Sequence, residues 1–246
     1  EVVAREEAGR ESVRLVRRIE ALPPAHGVSP RPAGSGLESA RLRAALSGAI
    51  EHTLRSQVDD PRDPMRGGLY VFYDLDARTY RTSHWIWAWG PSAGLLLEAR
   101  KRSELATRFA PDRLLAAAQA IGEATLRTVA TGATHSARGI PISRWDRSPK
   151  FDFGHELAIT PCDAAFLAAW TWVPLEEATG DRKWRAASET LIVALDRLMT
   201  EFPIPPQNYW PDYGRWDDKV IDEAGFGVEF FAGMHRLGGE ARMRDL

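Results

Sequence analysis

The sequence predicts an all-α protein whose helical hairpins belong to an α/α toroid. Nearly apolar helices alternate with amphipathic ones, and long loops separate the resulting pairs. Two apolar helices start at Pro91 and Pro161, 70 positions apart, without an obvious sequence repeat between them. Stacked helical hairpins of this kind close into a ring, with buried helices inside and long loops at one rim. We therefore expect one toroid domain over residues 1–246.

The amphipathic helices are identified by their spacing of apolar residues. Apolar side chains recur every three or four positions in 181–199 and in 111–129, so each segment has one buried and one wet face. Asp181 suits an N-cap, and Pro111 suits the first turn of a helix. Weaker versions of the same pattern occupy 38–55 and 3–19.

The second kind of helix is apolar on nearly every side, as expected of a helix surrounded by neighbours. The segments 91–99, 161–178 and 226–237 are of this kind. Thr160 and Asp163 have the spacing of a capping box, with aspartate in place of the usual glutamate. These three segments are the predicted inner helices.

Three long loops, 59–83, 131–153 and 202–219, are rich in Pro, Gly, Asp, Trp and Tyr. Loops of this length in a compact domain are usually functional. Six of the nine tryptophans lie in them or at the start of an apolar helix: Trp85, Trp87, Trp89, Trp145, Trp210 and Trp216. A single such tryptophan is more often a packed residue that seals a helix end, whereas the cluster predicts stacking against sugar rings.

Two acidic residues of these regions have apolar neighbours and directly precede an apolar helix. They are Asp152, between Phe151 and Phe153, and Asp222, after Val220 and Ile221. Apolar surroundings raise the pKa of a carboxyl group, which lets it donate a proton at neutral pH. Both are candidates for general acid–base catalysis.

Three segments resemble, in the same order, elements of the unsaturated glucuronyl hydrolases, a family of six-hairpin toroids. The run FDFGH at 151–155 is similar to the family's His-Asp-x-Gly-Phe segment, and the run KVID at 219–222 is similar to its Ile-Ile-Asp element. The run 83–97 resembles its first inner helix. The visible hairpins make little more than half of such a ring, so we expect either an N-terminal portion of a longer toroid or a short relative.

The resemblance implies hydration of a vinyl ether in an unsaturated uronyl saccharide. Asp222 would protonate the C4 carbon and activate the water, and Asp152 would hydrogen-bond the sugar and help to keep Asp222 protonated. The residues expected to bind the sugar are His155, Trp85, Trp145, Trp210 and His84.

Other chemistries remain open at this point. A sugar epimerase would use a histidine pair as acid and base, for which His84 and His155 are the best placed. A polysaccharide lyase would use Tyr209, Tyr213 or Arg215. A saccharide-binding domain would keep the aromatic residues without catalysis.

Composition excludes several other classes. The formal net charge is −2 and the basic residues are interspersed with acidic ones, so nucleic acid is not an expected partner. The longest apolar stretch, 164–175, is too short to cross a membrane. No metal-ligand spacing, P-loop or dinucleotide fingerprint is present, and no cofactor is expected.

With Cys162 as its single cysteine the protein has no internal disulfide, which is compatible with cytoplasm or periplasm. An oligosaccharide is the expected partner, and the oligomeric state is left open.

Overall fold

The computed structural model describes residues 3–7, 10–14, 36–76, 78–81, 83–132, 136–146, 157–202, 206–211, 213–217 and 225–238. The chain divides into two compact units, 1–45 and 46–246. Whether one toroid domain covers 1–246 stays a prediction.

The described part of the first unit contains an antiparallel hairpin of strands β1 (Val3–Glu7) and β2 (Arg10–Arg14). The amphipathic helix predicted at 3–19 is therefore wrong for these residues. Gly9 interrupts the helical pattern of the sequence, and glycine both weakens a helix and favours a turn between strands. The first half of helix α1 (Gly36–Arg55) belongs to the same unit.

The second unit is mainly helical, and this part of the prediction is confirmed. Its helices are the second half of α1, then α2 (Ile86–Ala99), α3 (Pro111–Leu126), α4 (Pro161–Leu167), α5 (Val173–Thr179), α6 (Arg182–Glu201) and α7 (Gly225–Arg236). Its strands are only two or three residues long: β3 (Phe72–Asp74), β4 (Thr79–Arg81), β5 (Ser83–Trp85), β6 (Arg144–Asp146), β7 (Tyr209–Trp210) and β8 (Arg215–Trp216). The strands pair as two-stranded antiparallel ribbons.

The helices form the predicted inner and outer sets. Helix α2 packs against both α3 and α4, and α4 packs in turn against α7. Helix α6 packs against α5, so α2–α3 and α5–α6 are helical hairpins. The outer helix α6 buries one face, through Trp184, Leu191, Leu195 and Leu198, as its apolar spacing predicted.

The long inner helix predicted at 161–178 is interrupted. Residues Ala168–Trp172 form a π-helical turn between α4 and α5. Pro174 lies just beyond this turn. Proline has no backbone N–H, and its ring crowds the preceding turn, so the α-helical hydrogen-bond pattern cannot run through this point unchanged. The inner helix therefore has a local widening at Trp170.

The turn after this helix follows the sequence signals. Gly180 adopts a left-handed conformation with φ +68° and ends α5. Asp181 then caps α6, where its carboxylate accepts the backbone N–H of Lys183 at 3.0 Å. The same carboxylate has a lowered pKa, mainly because of this hydrogen bond.

The core between the hairpins contains three tryptophans that are completely buried, Trp89, Trp172 and Trp184. The indole N–H of Trp89 donates to the Leu69 carbonyl at 3.0 Å, and that of Trp172 donates to the Thr125 hydroxyl at 3.0 Å. Trp89 is thus a core residue and not part of an exposed aromatic rim. Within the described residues, no helix is long and apolar enough to cross a membrane.

Candidate functional site

One short ribbon brings together three of the residues predicted to bind sugar. Strands β5 and β6 pair in a register that sets His84 opposite Trp145 and Trp85 opposite Arg144. The two strands come from different long loops, 61 positions apart at His84 and Trp145. The fold therefore joins the loop before α2 to the loop before α4.

A second ribbon carries the fourth of these residues. Strands β7 and β8 pair Trp210 with Arg215 and Tyr209 with Trp216. Tyr209 also exchanges two backbone hydrogen bonds with Ile159, at 2.9 and 2.8 Å. These bonds attach the second ribbon to the residues just before α4. Trp210, the next residue along the ribbon, is half-buried.

Ser143 connects the first ribbon to the starts of the inner helices α2 and α4. Its backbone carbonyl accepts the N–H of Ile86 at 3.0 Å, and its backbone N–H donates to Ala158 at 2.8 Å. Its hydroxyl accepts the N–H of Thr160 at 2.7 Å and donates to the Thr160 carbonyl at 3.1 Å. Because the Ser143 side chain is completely buried, these bonds are shielded from water.

A polar chain extends from Thr160 to the second ribbon. The Thr160 hydroxyl donates to Asn208 Oδ1 at 2.7 Å, and Asn208 Nδ2 donates to Asp217 Oδ2 at 2.9 Å. The other oxygen of Asp217 accepts the backbone N–H of Asn208 at 3.1 Å. Helix α4 starts at Pro161 with Thr160 as its N-cap residue, as the sequence predicted. The cap bond of the predicted capping box is absent, because the threonine hydroxyl serves this polar chain.

The rim tryptophans differ in exposure. Trp216 is half-buried and packs edge-on against Tyr209, with ring centroids 5.1 Å apart, so it seals the base of its ribbon. Trp87 is 41% exposed and Trp85 is half-buried, and their ring centroids lie 5.8 Å apart. Of the predicted sugar-stacking tryptophans, Trp216 is therefore a packing residue, whereas Trp87 is open to solvent.

Two further aromatic residues, one half-buried and one exposed, were missed by the sequence reasoning. Phe166 of α4 lies 6.3 Å from Trp87 between ring centroids, and Trp170 of the π-helical turn lies 6.1 Å from Phe166. Trp170 is 36% exposed, and its indole N–H donates to the Glu229 carboxylate of α7 at 2.9 Å. A spacing of four residues within one helix was the available signal for Phe166 and Trp170.

Tyr70, in the first long loop, illustrates the electrostatics of this region. Burial raises the pKa of its phenol, and the nearby carboxylates of Asp63, Asp59 and Asp60 raise it further. The negative charges of this loop therefore oppose ionisation of the phenol.

The predicted catalytic residues Asp152 and Asp222, and the predicted ligand His155, lie outside the described residues. For His84 and Trp145 the structure gives the backbone position and not the side chain. Their chemical roles remain predictions. Among the described residues, no three His, Cys, Asp or Glu side chains form a group that could hold a metal ion.

Comparison with known proteins gives a likeness of fold. No protein-family model matches the chain. No curated protein matches it either. A solved structure that it resembles is cellobiose 2-epimerase from Spirochaeta thermophila DSM 6192, at 17% identity and a TM-score of 0.50. The similarity covers 87% of this chain and 53% of that one, so the chain spans about half the length of its neighbour.

This likeness defines the class of fold. The neighbour is an α/α-toroid enzyme and the described part of this chain is mainly helical, so the predicted all-α, α/α-toroid fold is confirmed. The more specific resemblance to the unsaturated glucuronyl hydrolases remains a prediction.

Proposed function

We propose that the chain forms part or all of a carbohydrate-active enzyme, and that its reaction is epimerisation of a reducing sugar at the carbon next to the carbonyl group. The observation that carries the proposal is the fold similarity to a cellobiose 2-epimerase over 87% of the chain. The ribbon that sets His84 opposite Trp145 supports it, because the histidine proposed as an acid–base residue and the tryptophan proposed to stack on the sugar are then cross-strand neighbours.

The reaction requires two proton transfers at one carbon. A base removes the proton from the carbon next to the carbonyl, the electron pair moves to form an enediolate, and an acid returns a proton to the opposite face. Histidine suits both steps because its pKa lies near neutrality. We assign these steps to His84 and His155, the pair that the sequence indicates.

The first test follows the exchange of the proton at C2. Cellobiose and other reducing disaccharides are incubated with the protein in D2O, and proton NMR records loss of the C2 proton and formation of the epimer. We expect exchange in the wild type and a loss of about 100-fold or more in His84→Asn and in His155→Asn. Normal exchange in both variants would refute the assignment, and no exchange with any sugar in folded wild-type protein would refute the epimerase proposal.

A second candidate function is hydration of unsaturated uronyl saccharides. It is favoured by the sequence resemblance around Asp152 and Asp222. The assay follows loss of ultraviolet absorbance of unsaturated disaccharides from glycosaminoglycan, pectin and ulvan digests. Activity that disappears in Asp222→Asn would establish this alternative in place of epimerisation.

A further inference from the structure

Four aromatic rings and one carboxylate form a continuous strip across the inner helices. The rings follow one another as Trp85, Trp87, Phe166 and Trp170, with centroid separations of 5.8, 6.3 and 6.1 Å. Glu229 ends the strip on helix α7, where it accepts the indole N–H of Trp170 at 2.9 Å. We name this set the aromatic strip. It starts at the β5–β6 ribbon and reaches the π-helical turn.

The far end of the strip is held in place by its surroundings. The Trp170 ring packs against the backbone of α2 at Gly94, where an added Cβ atom would lie 2.7 Å from Cε3 of the indole. The indole N–H also donates to the Glu229 carboxylate at 2.9 Å. Nevertheless 36% of Trp170 and 41% of Trp87 remain exposed. A fixed aromatic ring that stays open to solvent is prepared for a ligand at little further entropic cost.

The chemistry of the strip favours a sugar over a protein partner. One face of a pyranose ring presents C–H groups that suit the negative face of an aromatic ring, while its hydroxyl groups need acceptors such as a carboxylate. The strip offers an aromatic face at Trp170 and a carboxylate acceptor at Glu229, and the two side chains are hydrogen-bonded to each other. Glutamate is depleted from the centre of protein interfaces because its charge is costly to bury.

We propose that the aromatic strip is an extended binding site for a neutral oligosaccharide, in which Trp170 and Glu229 hold a sugar unit beyond those bound at the β5–β6 ribbon. The proposal rests on the proposed function for the site at the ribbon, and it adds that the ligand is longer than a disaccharide. The carboxylate of Glu229 disfavours an acidic sugar at this end, since like charges repel.

The test compares the affinities of two neutral probes, cellobiose and cellotetraose, by isothermal titration calorimetry. We expect the wild type to bind cellotetraose at least about tenfold more tightly than cellobiose, because only the longer sugar contacts Trp170 and Glu229 in addition to the rings near the ribbon. This ratio of affinities should fall close to one in Trp170→Ala and in Trp170→Leu. Met199→Ala, which removes a side chain of similar exposure (37%) from the outer helix α6, is the matched control and should keep the ratio.

Glu229 provides an independent readout. Glu229→Gln retains an oxygen that can accept the indole N–H, so it should keep more of the chain-length preference than Glu229→Leu. Glu229→Gln should also weaken the discrimination against an acidic tetrasaccharide of galacturonate. A merely structural role for Glu229 would leave that discrimination unchanged.

Two outcomes would overturn the inference, and a third would separate it from the proposed function. Equal affinities for the two probes in the wild type would do so, and disaccharide turnover in the C2-exchange assay would then leave the proposed function intact. Tighter cellotetraose binding that Trp170→Ala removes, in a protein without turnover, would support the strip and refute the proposed reaction. A change of sedimentation coefficient in Trp170→Ala without an effect on sugar binding would identify a protein interface instead.

Discussion

Replacing Ser143 by alanine tests whether its buried hydroxyl holds the start of helix α4 at the candidate site. The Ser143 hydroxyl accepts the backbone N–H of Thr160 at 2.7 Å and donates to the carbonyl of the same residue at 3.1 Å. That carbonyl also accepts the N–H of Ala164 at 3.1 Å, so it keeps a partner in the variant. The Thr160 N–H loses the partner that it has in the structure.

The magnitude follows from this single orphaned donor. Thr160 is 8% exposed, so water reaches its backbone poorly. A buried donor left without a partner costs about 1–3 kcal/mol, and we expect Ser143→Ala to lower the free energy of unfolding by about 2 kcal/mol. For a unit of this size that corresponds to a fall in Tm of about 4–8 °C.

The assay is thermal unfolding followed by circular dichroism, with amide hydrogen exchange at Thr160 as the local readout. The matched control is Ser92→Ala, because the Ser92 hydroxyl donates to the Ala88 carbonyl within helix α2 and leaves no orphaned donor when it is removed. We expect the control to change Tm by less than about 2 °C, since alanine is also the better helix former. A Tm for Ser143→Ala within 1 °C or so of the wild type would refute the reasoning about the orphaned donor.

Three further predictions concern stability. Gly68→Ala would place its Cβ atom 2.0 Å from the buried ring of Trp89, so we expect it to lower the free energy of unfolding by more than about 3 kcal/mol in urea titration. Gly48→Ala, with no atom within 4 Å of the added Cβ, should raise that free energy by about 0.5–1 kcal/mol. Equal effects of the two substitutions would contradict this prediction. Arg185→Ala should lower the free energy of unfolding by about 2 kcal/mol and increase hydrogen exchange in α7, because the side chain donates to Glu176 of α5 and to the carbonyl of Leu237 after α7. Unchanged stability and exchange would show that these bonds contribute nothing. Asp181 has a lowered pKa in the folded protein, so the stability that its carboxylate contributes is full above about pH 4 and declines as the pH falls. Asp181→Asn should therefore lower Tm at pH 7 more than at pH 3. An equal fall in Tm at both pH values would contradict this.

The helical framework could be predicted because its signals are local. The spacing of apolar residues in α6 and the sequence Gly180-Asp181 before it depend only on neighbours along the chain, and both predictions are confirmed. The π-helical turn could not be predicted. Pro174 requires some disturbance of the helix, but whether it takes the form of a kink, a break or a wider turn depends on the packing of α3, α6 and α7 against it.

The candidate site was predicted only in part, because it depends on where a helix starts. Trp85, Trp87 and Trp89 alternate in the sequence, and a helix that begins at Ile86 turns Trp89 into the core while Trp87 stays 41% exposed. Sequence periodicity does not fix that starting residue to better than a few positions. The pairing of His84 with Trp145 is also a tertiary fact, since it joins two loops that are separate in the chain.

Trp170 was missed for a different reason, and its surroundings bear on which sugar binds beside it. Its helix is apolar on nearly every side, which predicted burial all round, but packing against α2 and α7 leaves one side of the indole open beside Glu229. The carboxylate of Glu229 repels a uronate bound beside Trp170, whereas a neutral sugar avoids this repulsion. The charge at the end of the aromatic strip therefore favours a neutral sugar unit at that end, and the galacturonate arm of the binding experiment measures that preference directly.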